Sequence, residues 1–536
     1  MNKTMELYSK SEDQKTNLSG QAVTYVPPKW DKLLRKVRDK NLVDKSVNAT
    51  NKKKINAWLQ DLDIPMYVSN IVCGNAVVRF EISLLEEESG IGDNAQVKLI
   101  SEFEQKRKQL EFVKILQEHK NKIAIALGLG VNKVMIDAGE YSDRSIVIEL
   151  PNTKNKEVCL LEVLLDEKFQ KIKNNHELTE SNCSLAIGKT VEGENLVLNL
   201  KNDPNLLISG NRQDKDNFIN SMMMSLMFSS DPNHVKIILI DLDDNNLSKF
   251  EGIPHLCGNG VCTDIEEAEK ILLWLVQEME DRYALFSIAR SRNIEQYNAY
   301  AKAENCMIMQ RIVVVIPEIA PFIEQEKRSF EKHLVMIAQK VRTIGIHVVI
   351  GSSKSTRDIF TGTIKTLYGS RITFKQNSKE ESKIAFGVYG GENLLGDGDM
   401  LIYQLDADDY ERAQGCKVTQ EEIEKVMQDV LKRNSTFENV RKCGELRNES
   451  DESFVGDDPR LKDAIRYAII RKSINHGILI RDWNLSIYRA RKLLDTMIEK
   501  GYVASEVVNG HREIYIDIAQ FEKEFGEDLY LQGDKH

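Results

Sequence analysis

From the sequence we expect an α/β fold, with a parallel-sheet domain between a small α+β domain and a small C-terminal domain. Across residues 166–430, short apolar strands alternate with amphipathic helices, which is typical of a parallel sheet covered on both faces. Before this region helices and strands are mixed, and after it two helices precede an Asn-Gly turn. A chain of 536 residues, 41% hydrophobic and 29% charged, is long enough for roughly three or four globular domains.

The first 50 residues are predicted to form a polar, loosely docked arm. They are rich in Lys and Asn and contain one short amphipathic piece, Trp30–Val43. The N-terminus has no apolar stretch of the kind found in secretory signals. Because no apolar run approaches the ~20 residues that cross a bilayer, we expect a soluble, cytoplasmic protein without a membrane span.

Residues 51–165 are predicted to form the small α+β domain. Its expected helices are Lys53–Leu62 and a long charged helix, Ala95–Leu127. Its expected strands are Met66–Val72, Ala76–Ser83, Lys133–Asp137 and Ser145–Glu149.

Residues 166–430 are predicted to form the parallel-sheet domain. Its expected strands are Leu206–Ser209, Val235–Ile240, Ile312–Ile316, His347–Ile350 and Ser370–Phe374. The helices between them include Phe218–Phe228, Ile265–Ile288 and Ser329–Ile344. In sheets of this kind ligands bind at the carboxyl ends of the strands, so the candidate site is sought there.

The last part of the chain is predicted to contain a linker, a small domain and a tail. Residues 431–456 are polar and acidic, as in a linker. Residues 457–516 are expected to form helices followed by a hairpin around Asn509–Gly510, because Asn-Gly is a strong signal for a tight turn. Residues 517–536 are predicted to be a peripheral acidic tail.

Charge and cysteine content limit the classes of partner. The net charge is −10, so contact with nucleic acid would need local basic patches rather than an overall positive charge. The eight cysteines are scattered without a C-x-x-C pair, and no standard zinc-ligand spacing occurs. No metal site is therefore predicted from these residues.

Several separated segments together resemble the motor domain of the FtsK/SpoIIIE family of DNA translocases. Each segment alone is weak evidence for the family, but their order along the chain makes the combination specific. The segments are Ile187–Lys189, Pro204–Gly210, Glu251–Leu256, Glu278–Tyr283, Gly345–His347, Thr361–Lys365 and Leu394–Met400. The preceding module resembles the smaller ring domain of that family, and residues 459–516 resemble its C-terminal winged helix. The resemblance, over roughly residues 55–516, implies a RecA-like motor that forms hexameric rings on double-stranded DNA. Since no segment resembling the family's N-terminal membrane anchor is recognised in the sequence, the resemblance leads us to expect that the chain corresponds to the soluble motor part of the family.

The segment at the expected phosphate loop departs from the pattern G-x-x-x-x-G-K-[ST]. It is Gly210-Asn-Arg-Gln-Asp-Lys-Asp-Asn217, which lacks the second glycine and is one residue shorter. Lys215 remains a candidate phosphate ligand, and Asp216 stands where a hydroxyl residue would hold Mg²⁺. The carboxylates of Asp214 and Asp216 add negative charge beside a site for a polyanion.

The opposite half of the site is altered as well. After the predicted strand Ile312–Ile316 the family has Asp-Glu, whereas this chain has Pro317-Glu318. Proline offers no oxygen to a metal, while Glu318 is a candidate for the catalytic residue that orients water. The next strand is followed by Ser352–Ser355 in place of the usual Thr-Gln-Arg-Pro. ATP and Mg²⁺ are the cofactors that the resemblance implies, and these losses argue that hydrolysis is lost or strongly weakened.

The C-terminal domain holds the candidate DNA-binding residues. A winged helix places the start of its recognition helix in the major groove, which here would present Tyr488, Arg489, Arg491 and Lys492. Arg481 in the preceding turn and Arg512 at the wing would hold phosphates. The alternative is a winged helix that binds protein, on which these residues are solvated charges.

Three functional hypotheses follow. The first is a DNA-binding ring protein with defective hydrolysis, acting as a homo-oligomer or beside an active homologue. The second is an active ATP-driven DNA translocase with a divergent phosphate loop. The third is a non-enzymatic scaffold for DNA or protein.

Overall fold

A computed structural model describes most of the chain. The described residues are 25–36, 44–85, 107, 111–130, 133–137, 146–154, 156–167, 169–170, 183–243, 247–257, 260–303, 308–405, 407, 409–434, 460–472, 474, 479, 487–504 and 512–526. They belong to two compact units. The larger unit comprises the described parts of residues 24–268 and 310–439, and the smaller unit those of residues 269–309 and 440–536.

The described elements are numbered in chain order. The strands are β1 Met66–Cys73, β2 Val77–Leu84, β3 Met135–Asp137, β4 Ile146–Pro151, β5 Val158–Cys159, β6 Ser184–Thr190, β7 Asn195–Asn199, β8 Asn205–Ser209, β9 Val235–Leu239, β10 Arg311–Ile316, β11 Ile346–Ser352, β12 Ser370–Thr373, β13 Asp399–Tyr403 and β14 Glu411–Lys417. The helices are α1 Trp30–Leu33, α2 Lys45–Asp61, α3 Lys120–Ala126, α4 Leu160–Leu164, α5 Arg212–Ser229, α6 Ile265–Ile288, α7 Ile294–Ala303, α8 Ala320–Ala338, α9 Val341–Ile344, α10 Gly362–Leu367, α11 Lys379–Ala385, α12 Gln420–Arg433, α13 Leu461–Arg471, α14 Ile487–Glu499 and α15 Ile518–Phe525.

A four-stranded antiparallel sheet forms the first module of the larger unit, in the order β1-β2-β4-β3. Helix α2 packs on it, and Ile55, Leu59, Phe80 and Ile148 are buried in the common core. The helix begins at Lys45, eight residues before the predicted start, because Asp44 caps its N-terminus by accepting a hydrogen bond from the Val47 N–H. Of the predicted long charged helix, residues 111–118 and α3 are helical, and residues 95–106 lie outside the described residues.

The second module is built on a mixed sheet in the order β7-β6-β14-β13-β12-β8-β11-β10-β9, with β5 paired to β14. Strands β12, β8, β11, β10 and β9 are parallel to one another, and they coincide with the five predicted strands within one or two residues at each end. The pairs β12–β13, β13–β14, β14–β6 and β6–β7 are antiparallel, so the predicted parallel sheet is corrected to a mixed one. Strand β14 was not predicted because Glu411–Lys417 carries polar and charged residues instead of a continuous apolar run.

Residues 25–36 are packed onto the mixed-sheet module, although they lie in the segment predicted as a loosely docked arm. The indole of Trp30 is buried edge-on against the ring of Phe228. The Val26 N–H donates to Asn434 Oδ1 at 2.9 Å, and the Arg35 guanidinium pairs with Glu422 at 3.0 Å. The amphipathic piece around Trp30 is therefore part of the core.

The smaller unit contains the C-terminal helices. Helices α13 and α14 and an antiparallel bridge between Val503 and Ile514 share one apolar core. Helix α15 lies in the segment predicted to be an acidic tail, and its Phe521 is buried in this core. Asp517 and Gln520 form a capping box at its start, which is the signal in the sequence for a helix beginning here.

None of the helices in the described part of the chain is both long and apolar enough to cross a membrane.

Candidate functional site

The carboxyl ends of β8, β10 and β11 bring the altered phosphate-loop segment, Pro317-Glu318 and Ser352 together, as expected for this class of sheet. The connection from β8 to α5 is very short. Strand β8 ends at Ser209, Gly210 follows, and Asn211 is already the N-cap of the helix that begins at Arg212. A two-residue connection has few backbone N–H groups with which to wrap a phosphate.

Gly210 is required by the packing of the sheet. Its φ of +114° lies in a region that residues with a side chain rarely adopt. A Cβ at this position would lie 2.7 Å from the backbone carbonyl of Phe374, the residue after β12. The glycine thus permits a close approach of two backbone segments.

The N-terminus of α5 is capped by side chains of the protein itself. Asn211 Oδ1 accepts from the Asp214 N–H at 2.9 Å, and Asn211 Nδ2 donates to Asp214 Oδ2 at 2.6 Å. The second carboxylate oxygen, Asp214 Oδ1, accepts from the Gly398 N–H at 2.8 Å. Burial raises the pKa of Asp214, although these hydrogen bonds oppose the shift. A carboxylate therefore lies where a helix N-terminus favours an anion.

Lys215 forms a buried ion pair with Glu318. Its side chain is 2% exposed, and its Nζ donates to Glu318 Oε2 at 2.8 Å and to the carbonyl oxygen of Pro317 at 2.7 Å. The sequence identified both Lys215 and Glu318 as site residues, and the structure brings them into direct contact. The candidate phosphate ligand and the candidate catalytic carboxylate are bound to each other.

Glu318 is held by three further donors. Ser352 Oγ donates to Oε1 at 2.6 Å, the Ser353 N–H donates to Oε2 at 2.8 Å, and the Ala320 N–H lies 3.4 Å from Oε1. Burial acts to raise the pKa of Glu318, but the Lys215 ammonium and these hydrogen bonds outweigh it and hold the pKa below its usual value. The carboxylate is ionised and saturated with donors.

Asp216 is half-buried and faces other charges. Its Oδ2 lies 3.7 Å from Arg212 Nε, one turn earlier on α5. Burial raises the pKa of Asp216, while Lys215, Arg212 and Lys249 oppose the shift. Asp216 is thus embedded among cations of the protein at the position where the sequence pattern calls for a hydroxyl.

A chain of neutral hydrogen bonds connects the strand ends next to this pair. Ser355 Oγ donates to Gln376 Oε1, Gln376 Nε2 donates to Thr373 Oγ1, and Ser209 Oγ donates to the same Thr373 hydroxyl, each at 2.9 Å. Because these side chains are buried and paired with one another, they fix the ends of β8 and β12 and residue 355.

The candidate DNA-binding residues lie partly outside the described residues. Arg481 lies outside them, and for Tyr488, Arg489 and Arg491 only the backbone is described, within α14. Lys492 is exposed on the same helix. Arg512 is partly buried and donates from Nη1 to the carbonyl oxygen of Ala504 at 2.9 Å, so at least one of its N–H groups contacts the protein itself.

Comparison with known proteins supports the resemblance. The chain matches the FtsK/SpoIIIE family over residues 170–361. It is 30% identical over 513 residues to the DNA translocase FtsK of Caldanaerobacter subterraneus subsp. tengcongensis, and the match covers 95% of this chain and 67% of that protein. The chain belongs to the FtsK/SpoIIIE family.

Two further relatives show how much of these proteins the chain spans. The DNA translocase FtsK of Clostridium acetobutylicum is 33% identical, and the match covers 73% of this chain and 51% of that protein. The DNA translocase SpoIIIE of Bacillus subtilis is 27% identical, and the match covers 93% of this chain and 60% of that protein. The chain therefore spans about half to two thirds of the length of these family members.

Two of the segments that resemble the family have structural roles. In Glu251–Leu256, the His255 side chain is fully buried and its Nε2 lies 3.1 Å from the carbonyl oxygen of Ser230. Burial lowers the pKa of His255 to about 3, so it is neutral in the folded protein. In Glu278–Tyr283, Arg282 Nε donates to Glu278 Oε1 at 2.9 Å in a buried pair.

Proposed function

We propose that the protein is a DNA-binding, ring-forming member of the FtsK/SpoIIIE family in which ATP hydrolysis has been lost. The observation that carries this proposal is the buried pair between Lys215 and Glu318. A lysine that neutralises a buried carboxylate is withdrawn from a phosphate, and a carboxylate saturated with donors has little capacity left to activate water.

The residues of the site do not suit a magnesium-bound triphosphate. Pro317 has no oxygen-bearing side chain to hold the metal, and Asp214 occupies the capped start of α5 with a negative charge. To bind, the triphosphate would have to displace Asp214 and break the pair between Lys215 and Glu318. Removing one partner from a buried ion pair is strongly unfavourable, so we infer that the closed site is the resting state.

The test of this proposal is phosphate release by the purified full chain with Mg²⁺, ATP and double-stranded DNA. We expect a rate no higher than that of a protein-free control at any DNA concentration. DNA-stimulated release, abolished by Glu318→Gln, would instead establish the second hypothesis of an active translocase.

The C-terminal unit is proposed to bind double-stranded DNA as a winged helix, with α14 as its recognition helix. The support is the cluster of basic residues at the start of α14, in a chain that is otherwise acidic. We further propose a cytoplasmic protein that forms a homo-oligomeric ring, hexameric by analogy with the family, or a ring shared with an active homologue.

Arg489→Ala is expected to weaken DNA binding by about tenfold or more, because arginine at this position of a recognition helix contacts base edges or phosphates. The measurement is a titration of labelled duplex with the full chain at several salt concentrations. Lys523→Ala, which removes one exposed positive charge from α15 of the same unit, is the control and should change affinity little. If wild type and Arg489→Ala bind DNA with equal affinity and equal salt dependence, the proposed contact is refuted and a winged helix that binds protein is favoured.

A further inference from the structure

The turn Gly396–Asp399 leads into β13 and contacts the start of α5. Its backbone has positive φ at three successive residues, Gly396, Asp397 and Gly398. The Gly398 N–H donates to Asp214 Oδ1, and the Gly398 carbonyl oxygen accepts from the Gly415 N–H, each at 2.8 Å. The turn is therefore fixed between the capped helix and strand β14.

The same turn is anchored by Asp399. Its carboxylate accepts two hydrogen bonds from Arg412, from Nε at 3.0 Å and from Nη2 at 2.6 Å. It also accepts from the Leu395 N–H at 2.8 Å. Asp399 and Arg412 are both buried, and such a bidentate arrangement fixes position as well as charge.

Arg412 extends this anchor to the four-stranded module. Its Nη1 donates to Glu149 Oε2 at 2.7 Å, and Glu149 lies on β4 of that module. Arg79 on β2 donates to the other oxygen, Glu149 Oε1, at 2.8 Å, and also pairs with Glu192. Glu149 is thus a buried carboxylate between two guanidinium groups, one from each module.

We propose that this set, Asp214, Gly396–Asp399, Arg412 and Glu149, is an internal latch that couples the start of α5 to the four-stranded module without nucleotide. The Asp214 carboxylate takes the place of an external anion at the helix N-terminus, and the turn transmits its position through Asp399 and Arg412. The coupling is reciprocal, as any equilibrium coupling between two sites must be. This inference rests on the proposed function, since a bound triphosphate would compete with Asp214.

The test is amide hydrogen exchange of the full chain without nucleotide. Glu149→Gln removes the charge that joins the modules while keeping the shape of the side chain. We expect exchange at the amides of Gly398, Asp214 and Lys215 to accelerate by at least about tenfold, because the turn loses its anchor. The amides of β10 in the centre of the sheet should be unchanged.

Glu157→Gln is the control for removing a carboxylate charge from between two cations, at a site that is exposed rather than buried. Glu157 also lies between two cations, Arg35 and Lys417, but it does not touch the turn. This variant should leave exchange at Gly398 and Asp214 as in the wild type. If Glu149→Gln does not fold, Asp214→Ala tests the latch from the other end and should accelerate exchange at Gly398 and Asp399.

The latch is refuted if the Glu149→Gln or Asp214→Ala variant accelerates exchange equally in β10, or leaves Gly398 unchanged. These outcomes are independent of the nucleotide experiments. Binding of ATP with a selective exchange response would overturn the proposed function and keep the latch. No binding of ATP, together with no selective change in hydrogen exchange, would keep the proposed function and refute the latch.

Discussion

Lys215→Ala is expected to destabilise the protein by on the order of 3–5 kcal/mol, because it leaves the buried Glu318 carboxylate without its cation. A lysine with a phosphate-binding role alone would face solvent before ligand arrives, and its loss would change stability little. The measurement is the free energy of unfolding from denaturant titration. Lys354→Ala is the control, since Lys354 pairs with Glu324 on the surface at 2.7 Å, and its loss should be nearly neutral.

The double variant Lys215→Met/Glu318→Gln should recover part of that loss. Glutamine can keep its amide oxygen for the Ser353 N–H and turn its NH2 group toward the Ser352 hydroxyl, which can also accept, and methionine fills the lysine volume without charge. A double variant less stable than Lys215→Ala would show that the ion pair is not the source of the effect.

Acid should reduce the advantage of the wild type over Lys215→Ala. The folded pKa of Glu318 is lowered, so its stabilising contribution is present above the ordinary value of 4.5 and is lost as the pH falls through the lower folded pKa. Unfolding measured from pH 7 downward should therefore show the two proteins converging below pH 4.5. A constant difference across that range would count against an ionised Glu318.

Gly210→Ala is expected to cost on the order of 3–5 kcal/mol, through backbone strain and a clash with the Phe374 carbonyl. Gly193→Ala is the matched control, because Gly193 also has positive φ, +87°, but a Cβ there would meet nothing within 4 Å. That variant should lose only about 1–2 kcal/mol from strain. Denaturant titration of both variants separates strain from contact, and equal losses would remove the packing role assigned to Gly210.

The parallel strands and the meeting of the site residues could be predicted from the sequence. Apolar runs such as Ile312–Ile316 identify buried strands, and the carboxyl ends of parallel strands converge. Strand β14 could not be found in this way, because Arg412 is buried by ion pairing with Glu149 and Asp399, which the residue pattern does not reveal.

The contacts within the site could not be predicted from the sequence, for a different reason. The pairing of Lys215 with Glu318 spans 103 residues and depends on how closely β8, β10 and β11 approach. The role of Asp214 depends on the backbone of Gly398, which is 184 residues away. The motif Leu394–Met400 was a signal that this turn matters, but it did not indicate what the turn contacts.

The central claim is that the closed site does not accept nucleotide, and calorimetric titration of MgATP into the full chain tests it most directly. We predict no heat beyond dilution and no change in thermal unfolding at saturating concentrations of ligand. A ligand present at a hundredfold excess over its Kd would stabilise the folded state by about 2.7 kcal/mol, an effect that thermal unfolding detects readily. Saturable binding with a matching thermal shift would contradict the account.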